Sequence, residues 1–189
     1  MRVCRILPRV NVQGRIAIMS VDAQALSLIL HPASVLKERA VTVDPKDEEI
    51  QAVALNMIRI MREHRGAGLA APQVGLSWRM FVTRDPDDPE SAITWINPTL
   101  EVVGDEVAVE EEGCLSIPEV RGNIRRSVAI RIKGFDSSGN AVEITSDHAI
   151  ARVWQHENDH LDGVLIIDKM SAMDRLINRR RLRDLERAK

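Results

Sequence analysis

Residues 148–161 read HAIARVWQHENDHL, and the distribution of side chains along this stretch decides the architecture. At 100° per residue, Ile150, Val153, Trp154, Glu157, His160 and Leu161 share an arc of about 120°. The spacing predicts an amphipathic helix from about His148 to Leu161, with Ser146 or Asp147 as cap and Gly163 as stop. Its core-facing stripe carries a carboxylate and an imidazole in the middle, with His156 at the edge. Burying such groups without partners costs on the order of several kcal/mol, so something must satisfy them. His156 and His160 sit one turn apart and can grip one cation, and Glu157 beside them can reach a bound water. The competing reading, two satisfied core histidines and a surface glutamate, would have to bury Glu157 as well.

Working outward, a first amphipathic helix is expected over residues 46–64. Asp44-Pro45 marks its start, Ile50, Val53, Ala54, Met57, Ile58 and Met61 recur at helical spacing, and Gly66 supplies the stop. From Met80 to Ile144 the pattern turns to short β-type runs: 80–83, 93–96, 100–103, 107–109, 127–133 and 141–144. Turn signals at 85–89, Asn97-Pro98, Gly104-Asp105 and 137–140 separate them. These connections are too short for crossover helices, so mainly antiparallel or mixed sheets are expected. After the histidine helix come a strand-like run, 164–167, and a helix from Met173 to Ala188. The fold class is α+β, with the sheets packed around a central metal-binding helix and with an N-terminal and a C-terminal helix.

The chain has 189 residues, 44% hydrophobic and 29% charged, with a net charge of −2. It is long enough to bury roughly two thirds of its unfolded surface, and the balance excludes a disordered chain. A near-neutral total gives no global field for DNA or an anionic membrane, and no apolar run approaches the roughly 20 residues of a membrane span. Only 3% of residues are aromatic, which weakens any base-stacking role. Two cysteines, Cys4 and Cys114, make no disulfide framework, so a reducing compartment is expected. Residues 1–20 are Arg-rich and acid-free; they read as a poorly defined leader: an upstream start with Met19 as initiator, an organelle presequence, or a functional arm. Residues 21–189 are expected to form one domain.

A third metal ligand is needed to separate families. Gly163 matches the glycine of the metzincin pattern, but Ile166 stands where its third histidine belongs. A thermolysin-type glutamate about twenty residues downstream is replaced by Arg179, Arg180 and Arg181. The remaining source is upstream, where Cys114 in Glu112-Gly113-Cys114-Leu115-Ser116 offers a thiolate suited to a soft-to-borderline metal; an inert buried thiol is the alternative. A further segment, Gly66-Ala67-Gly68-Leu69-Ala70-Ala71-Pro72-Gln73, combines small residues with an amide able to reach an oxyanion.

Together these segments resemble the peptide deformylase family, whose G-x-G-L-A-A-x-Q, E-G-C-L-S and H-E-x-x-H motifs occur here in the same order over about residues 28–189. The resemblance implies a hydrolase that removes the formyl group from the N-terminal N-formylmethionine of nascent polypeptides. It implies Cys114, His156 and His160 as metal ligands, Glu157 as general acid/base, and Gln73 with the Leu115 N–H as the oxyanion site. Gly68 and Arg121 match cleft-lining positions, although Arg121 also reads as an ordinary surface arginine; Val153 is expected in the wall of the methionine pocket. The implied cofactor is one divalent ion, Fe(II) in vivo, with Zn, Ni or Co able to replace it.

The C-terminal helix carries seven Lys/Arg against two acids from Arg175 to Lys189, with Leu176, Leu182 and Leu185 to dock it. It reads as a solvated face or as a contact to the ribosome near the exit tunnel, a use of this end known in the family. A cytoplasmic location is expected, or a plastid or mitochondrion if residues 1–20 are a presequence. Two other functions compete: a zincin-like endopeptidase, which lacks its third ligand here, and a non-catalytic metal-stabilised module, which would need neither Glu157 nor Gln73.

Overall fold

The computed structural model describes residues 9–10, 16–17, 21–88 and 90–187. The expectations for the leader and for Cys4 lie outside these, apart from a two-residue antiparallel pair between β1 (Arg9–Val10) and β2 (Ile16–Ala17).

Helix α1 spans Glu48–Glu63 and buries Ile50, Val53, Ala54, Met57, Ile60 and Met61 on one face. Its cap is Asp47, whose Oδ1 accepts from the Glu49 N–H at 2.9 Å. Asp44, the expected cap, instead folds an Asx turn with Lys46 (3.0 Å) one step earlier. At the other end Arg65 takes the left-handed position (φ 56°) and Gly66 follows it. The Gly66 N–H bonds Met61 O at 2.8 Å and the Arg65 N–H bonds Arg62 O at 3.0 Å, a Schellman ending.

One five-stranded antiparallel sheet follows, in the order β3 (Gly68–Ala70), β4 (Met80–Arg84), β5 (Ala92–Cys114), β6 (Ile117–Phe135), β7 (Ala141–Ser146). The Gly/Ala-rich segment is thus an edge strand and then a 3-10 turn, Ala71–Val74. The separate runs 93–96, 100–103 and 107–109 are pieces of the single strand β5. Asn97-Pro98 and Gly104-Asp105 are register irregularities inside it rather than turns. Asn97 and Gly104 have positive φ (51° and 75°), which bulges demand as much as turns do. The β5–β6 hairpin closes through Leu115-Ser116 and so carries Cys114 to its tip.

Helix α2 (Ala149–Leu161) lies against this sheet, with Ala151, Trp154, Glu157, His160 and Leu161 buried. His148 is its N-cap residue, without a side-chain bond to the helix; Ser146 Oγ accepts from the His148 N–H at 3.2 Å. Trp154 packs edge-on to Trp95 of β5 at 5.5 Å between ring centroids, fixing the helix against the strand. Gly163 ends the turn with φ +72°, and a Cβ there would stand 2.5 Å from Lys37 O; only glycine fits.

Beyond it, the run 164–167 is not a strand. Residues Ile166–Lys169 form a helical turn, α3, because the Asp168 carboxylate accepts from the Leu165 N–H at 2.8 Å. A short apolar run has no period to distinguish the two states. The expected C-terminal helix is two, α4 (Ala172–Ile177) and α5 (Arg179–Arg187). Asn178 interrupts them, its Nδ2 donating to Arg121 O at 2.7 Å and Asp174 O at 2.8 Å. Leu185 is buried and Leu182 half-buried, but Leu176 is 60% exposed and does not dock. No helix among the described residues is long and apolar enough to cross a membrane.

Candidate active site

Cys114 at the hairpin tip meets His156 and His160 on the inner face of α2. One donor atom from each lies within 4.8 Å of the others; Cys114 Sγ is 3.3 Å from His160 Nε2, and the two imidazoles stand 5.1 Å apart, tilted by 69°. Cys114 and His160 are buried and His156 is half-buried. Burial holds His160 neutral, well below the ordinary histidine range, as a metal ligand must be. A thiolate with two imidazoles is a soft-to-borderline donor set that fits Fe(II), Zn, Ni or Co. His160 Nδ1 and Glu157 Oε2 are buried without a hydrogen-bond partner among the described residues.

Glu157 follows His156 on α2 and is buried. Its carboxylate packs on Gly68, where an added Cβ would sit 2.5 Å from Oε1. Burial pushes its carboxyl up to about 7, against the pull of His156 and Arg126. Gln73 is oriented by its own loop: Oε1 accepts from the Ala70 N–H at 2.8 Å. Its amide nitrogen therefore faces the thiol (3.6 Å) and Ser116 Oγ (3.2 Å).

Four charged residues that the sequence reading left without a role build the support. Glu112 Oε2 lies 3.0 Å from His156 Nδ1, which leaves Nε2 for the cation and fixes the ring. Arg126 holds Glu112 with Nε and Nη2 at 2.7 and 2.8 Å, and Asp159 with Nη1 at 2.6 Å. Arg152 adds a third contact to Glu112 at 2.8 Å. Burial would raise the Glu112 carboxyl, but bonds from Arg126 and His156 hold it far below the carboxylate range. Burial likewise presses His156 down, but its bonds with Cys114 and Glu112 carry it up to about 10; a cation must displace that proton. No local sequence signal marks this cluster: in the sheet Glu112 stands opposite Gly122 and Arg126 opposite Ala108, so the two charges meet only through the reach of the arginine side chain.

A cleft of about 650 Å³ opens onto this centre. Gly68, Gln73, Leu115, Arg121 and Val153 all line it, together with Cys114, His156 and Glu157. Arg121 is 66% exposed and lies 3.9 Å from Glu111. Leu28, His64 and Arg65 also line it, and the sequence reading placed none of them there. The alternative third ligands fall away: Ile166 is core, and Arg179 and Arg180 are exposed.

The fold and this centre define a class, an α+β protein whose hairpin tip and two-histidine helix bring together a Cys/His/His group that could hold one metal ion. A family model described as polypeptide deformylase matches residues 25–176. The peptide deformylase of Thermotoga maritima is 44% identical over 153 residues, covering 81% of this chain and 92% of the relative. That of Thermodesulfovibrio yellowstonii is 38% identical over 160 residues, 84% and 96%. Among solved structures, Plasmodium falciparum peptide deformylase superposes with a TM-score of 0.80 at 32% identity, covering 86% of this chain and 96% of that one. The Thermotoga maritima enzyme gives 0.72 at 41% identity, covering 77% and 97%. The chain belongs to the polypeptide deformylase family, enzymes that remove the formyl group from an N-terminal formylmethionine.

Proposed function

We propose that this chain deformylates nascent polypeptides with Cys114, His156 and His160 as ligands of one divalent ion, Fe(II) in vivo, with Zn, Ni or Co as substitutes. The observation that carries this reading is the buried Glu157 carboxylate, whose Oε2 has no hydrogen-bond partner among the described residues, beside three clustered donors; a structural metal site has no use for it. When bound, the ion would acidify a water and polarise the formyl oxygen. Glu157, with its carboxyl raised to about 7, takes the proton of the attacking water and returns it to the departing amine, giving formate and a free N-terminus. The Gln73 amide and the Leu115 N–H donate to the formyl oxygen as charge develops on it. Gly68 lines the substrate cleft and leaves room for the Glu157 carboxylate, Leu115 and Val153 wall the methionine side chain, and Arg121 flanks the extended peptide.

The exposed arginines of α5, Arg179, Arg180, Arg183 and Arg187, support docking to ribosomal RNA near the exit tunnel. Ribosome association would then weaken steeply with salt and vanish on removal of residues 176–189. This reading places the chain in the cytoplasm, or in a plastid or mitochondrion if residues 1–20 act as a presequence.

The test is formate release from formyl-Met-Ala-Ser by protein purified anaerobically with Fe(II) or with Ni(II). Turnover by the wild type, lost in Glu157→Ala at equal metal content, supports the reaction and the base. No turnover by fully metallated wild type rejects both.

A further inference from the structure

The charges around the mouth of the cleft are unevenly matched. On the β6 side, Glu119 is paired with Arg181 at 3.1 Å and Glu111 stands 3.9 Å from Arg121. On the α1 side, Arg65 lines the same cleft and is exposed. Among the described residues its side chain has no ion pair and no hydrogen bond. Its backbone is also held where an arginine is disfavoured: φ is 56°, in the left-handed position of the α1 ending. Glycine occupies that position without steric penalty, so the loop gains nothing in stability from arginine. The loop is rigid, because Arg84 donates from Nε to Gly66 O at 2.8 Å and from its backbone N–H to Ala67 O at 2.9 Å. Three residues further on, Gly68 touches Glu157.

We propose that Arg65 is a specificity determinant that pairs with an acidic side chain, Asp or Glu, at the second or third residue of the formylated substrate. This rests on the deformylase reading. From Arg65 to Gly68 the chain covers at most about 10 Å. An extended peptide advances about 3.3 Å per residue. With the formyl group at Glu157, the residues beside Arg65 are therefore those that follow methionine. The planar guanidinium fork matches a carboxylate bidentately, at the cost of ordering the exposed side chain.

The experiment compares kcat/KM for C-terminally amidated formyl-Met-Ala-Ser, formyl-Met-Asp-Ser, formyl-Met-Lys-Ser, formyl-Met-Ala-Glu and formyl-Met-Ala-Lys. The enzymes are the metallated wild type, Arg65→Gln and Arg65→Gly, the last being the residue the backbone prefers. At low salt the wild type is expected to favour the acidic over the lysine peptide about two- to five-fold at one of the two positions, the size of an exposed ion pair. The preference should appear in KM, shrink with added salt and fall to about one in both variants. A wild-type ratio of one, or a ratio retained in both variants, overturns the proposal while turnover of formyl-Met-Ala-Ser leaves the deformylase reading standing. Absence of turnover for every peptide overturns the deformylase reading itself.

Discussion

The Glu157 carboxylate rests on the backbone of Gly68 so closely that a methyl group at residue 68 would lie 2.5 Å from Oε1 and 2.7 Å from Cγ. Strand β3 and helix α2 thus meet at the proposed base, and the small residue exists for the carboxylate's position. Gly68→Ala must push Glu157 off its place. A general base contributes about 10²- to 10⁴-fold, so kcat for formyl-Met-Ala-Ser should fall at least about ten-fold. Bound metal should be unchanged by elemental analysis. An alanine variant with wild-type kcat would show that Glu157 does not act from this position.

Glu112 serves His156 in the same way that Gly68 serves Glu157, but through charge. With Arg126 2% exposed and Glu112 7% exposed, neither charge has water to fall back on. Glu112→Gln keeps the shape and removes the charge that orients His156 Nδ1–H. Loss of such a partner typically weakens metal affinity about 10- to 100-fold, measurable by competition with a chelator. Arg126→Met removes the cation shared by Glu112 and Asp159, but Arg152 and Lys169 still pair them at 2.8 and 2.7 Å, so the loss in urea unfolding should stay below the roughly 3–5 kcal/mol of a fully unpaired buried charge.

How much of this was legible before the structure follows from the physics of each feature. The stripe on α2 was readable because helical period and residue chemistry coincide at Trp154, Glu157 and His160. The three donors were readable because a thiol and two imidazoles are rare side chains in recurrent local settings. Strand β5 was cut into pieces because the positive φ at Asn97 and Gly104 serves a bulge as well as a turn. The Glu112–Arg126–Asp159 cluster was hidden because its members sit on β5, β6 and α2, and common charged residues announce no partner across such separations. Arg65 escaped for a different reason: glycine one residue later carried the stop signal that belongs to the left-handed position.

Removing the cation should separate chemistry from folding. Trp95, Trp154 and the α1 stripe are buried independently of the ligand cluster, so chelation should abolish formate release while far-ultraviolet circular dichroism stays native. Fe(II), Ni(II) or Co(II) should restore activity, and Cys114→Ser should bind each more weakly because a hydroxyl is a poor ligand for such ions. Activity that survives complete chelation would exclude the proposed chemistry.

The α3 turn offers a test on stability rather than catalysis. Asp168 bonds the Lys37 ammonium and accepts from the Leu165 N–H at 2.8 Å, tying the turn to the segment before α1. Burial alone would raise its carboxyl, but these two partners hold it below the usual range. A depressed carboxyl stabilises the fold above its unfolded value, near 4, and that contribution is lost as pH falls through the folded value. The side chain is 42% exposed, so solvent screening limits the gain to about 0.5–1 kcal/mol. Asp168→Asn should therefore be less stable than wild type by that amount at pH 7 in urea titrations, and the gap should narrow at pH 3, where the wild-type carboxyl begins to protonate. A gap of equal size at both values would mean that the turn is held by shape, and that the Lys37 and Leu165 contacts contribute no charge-dependent stability.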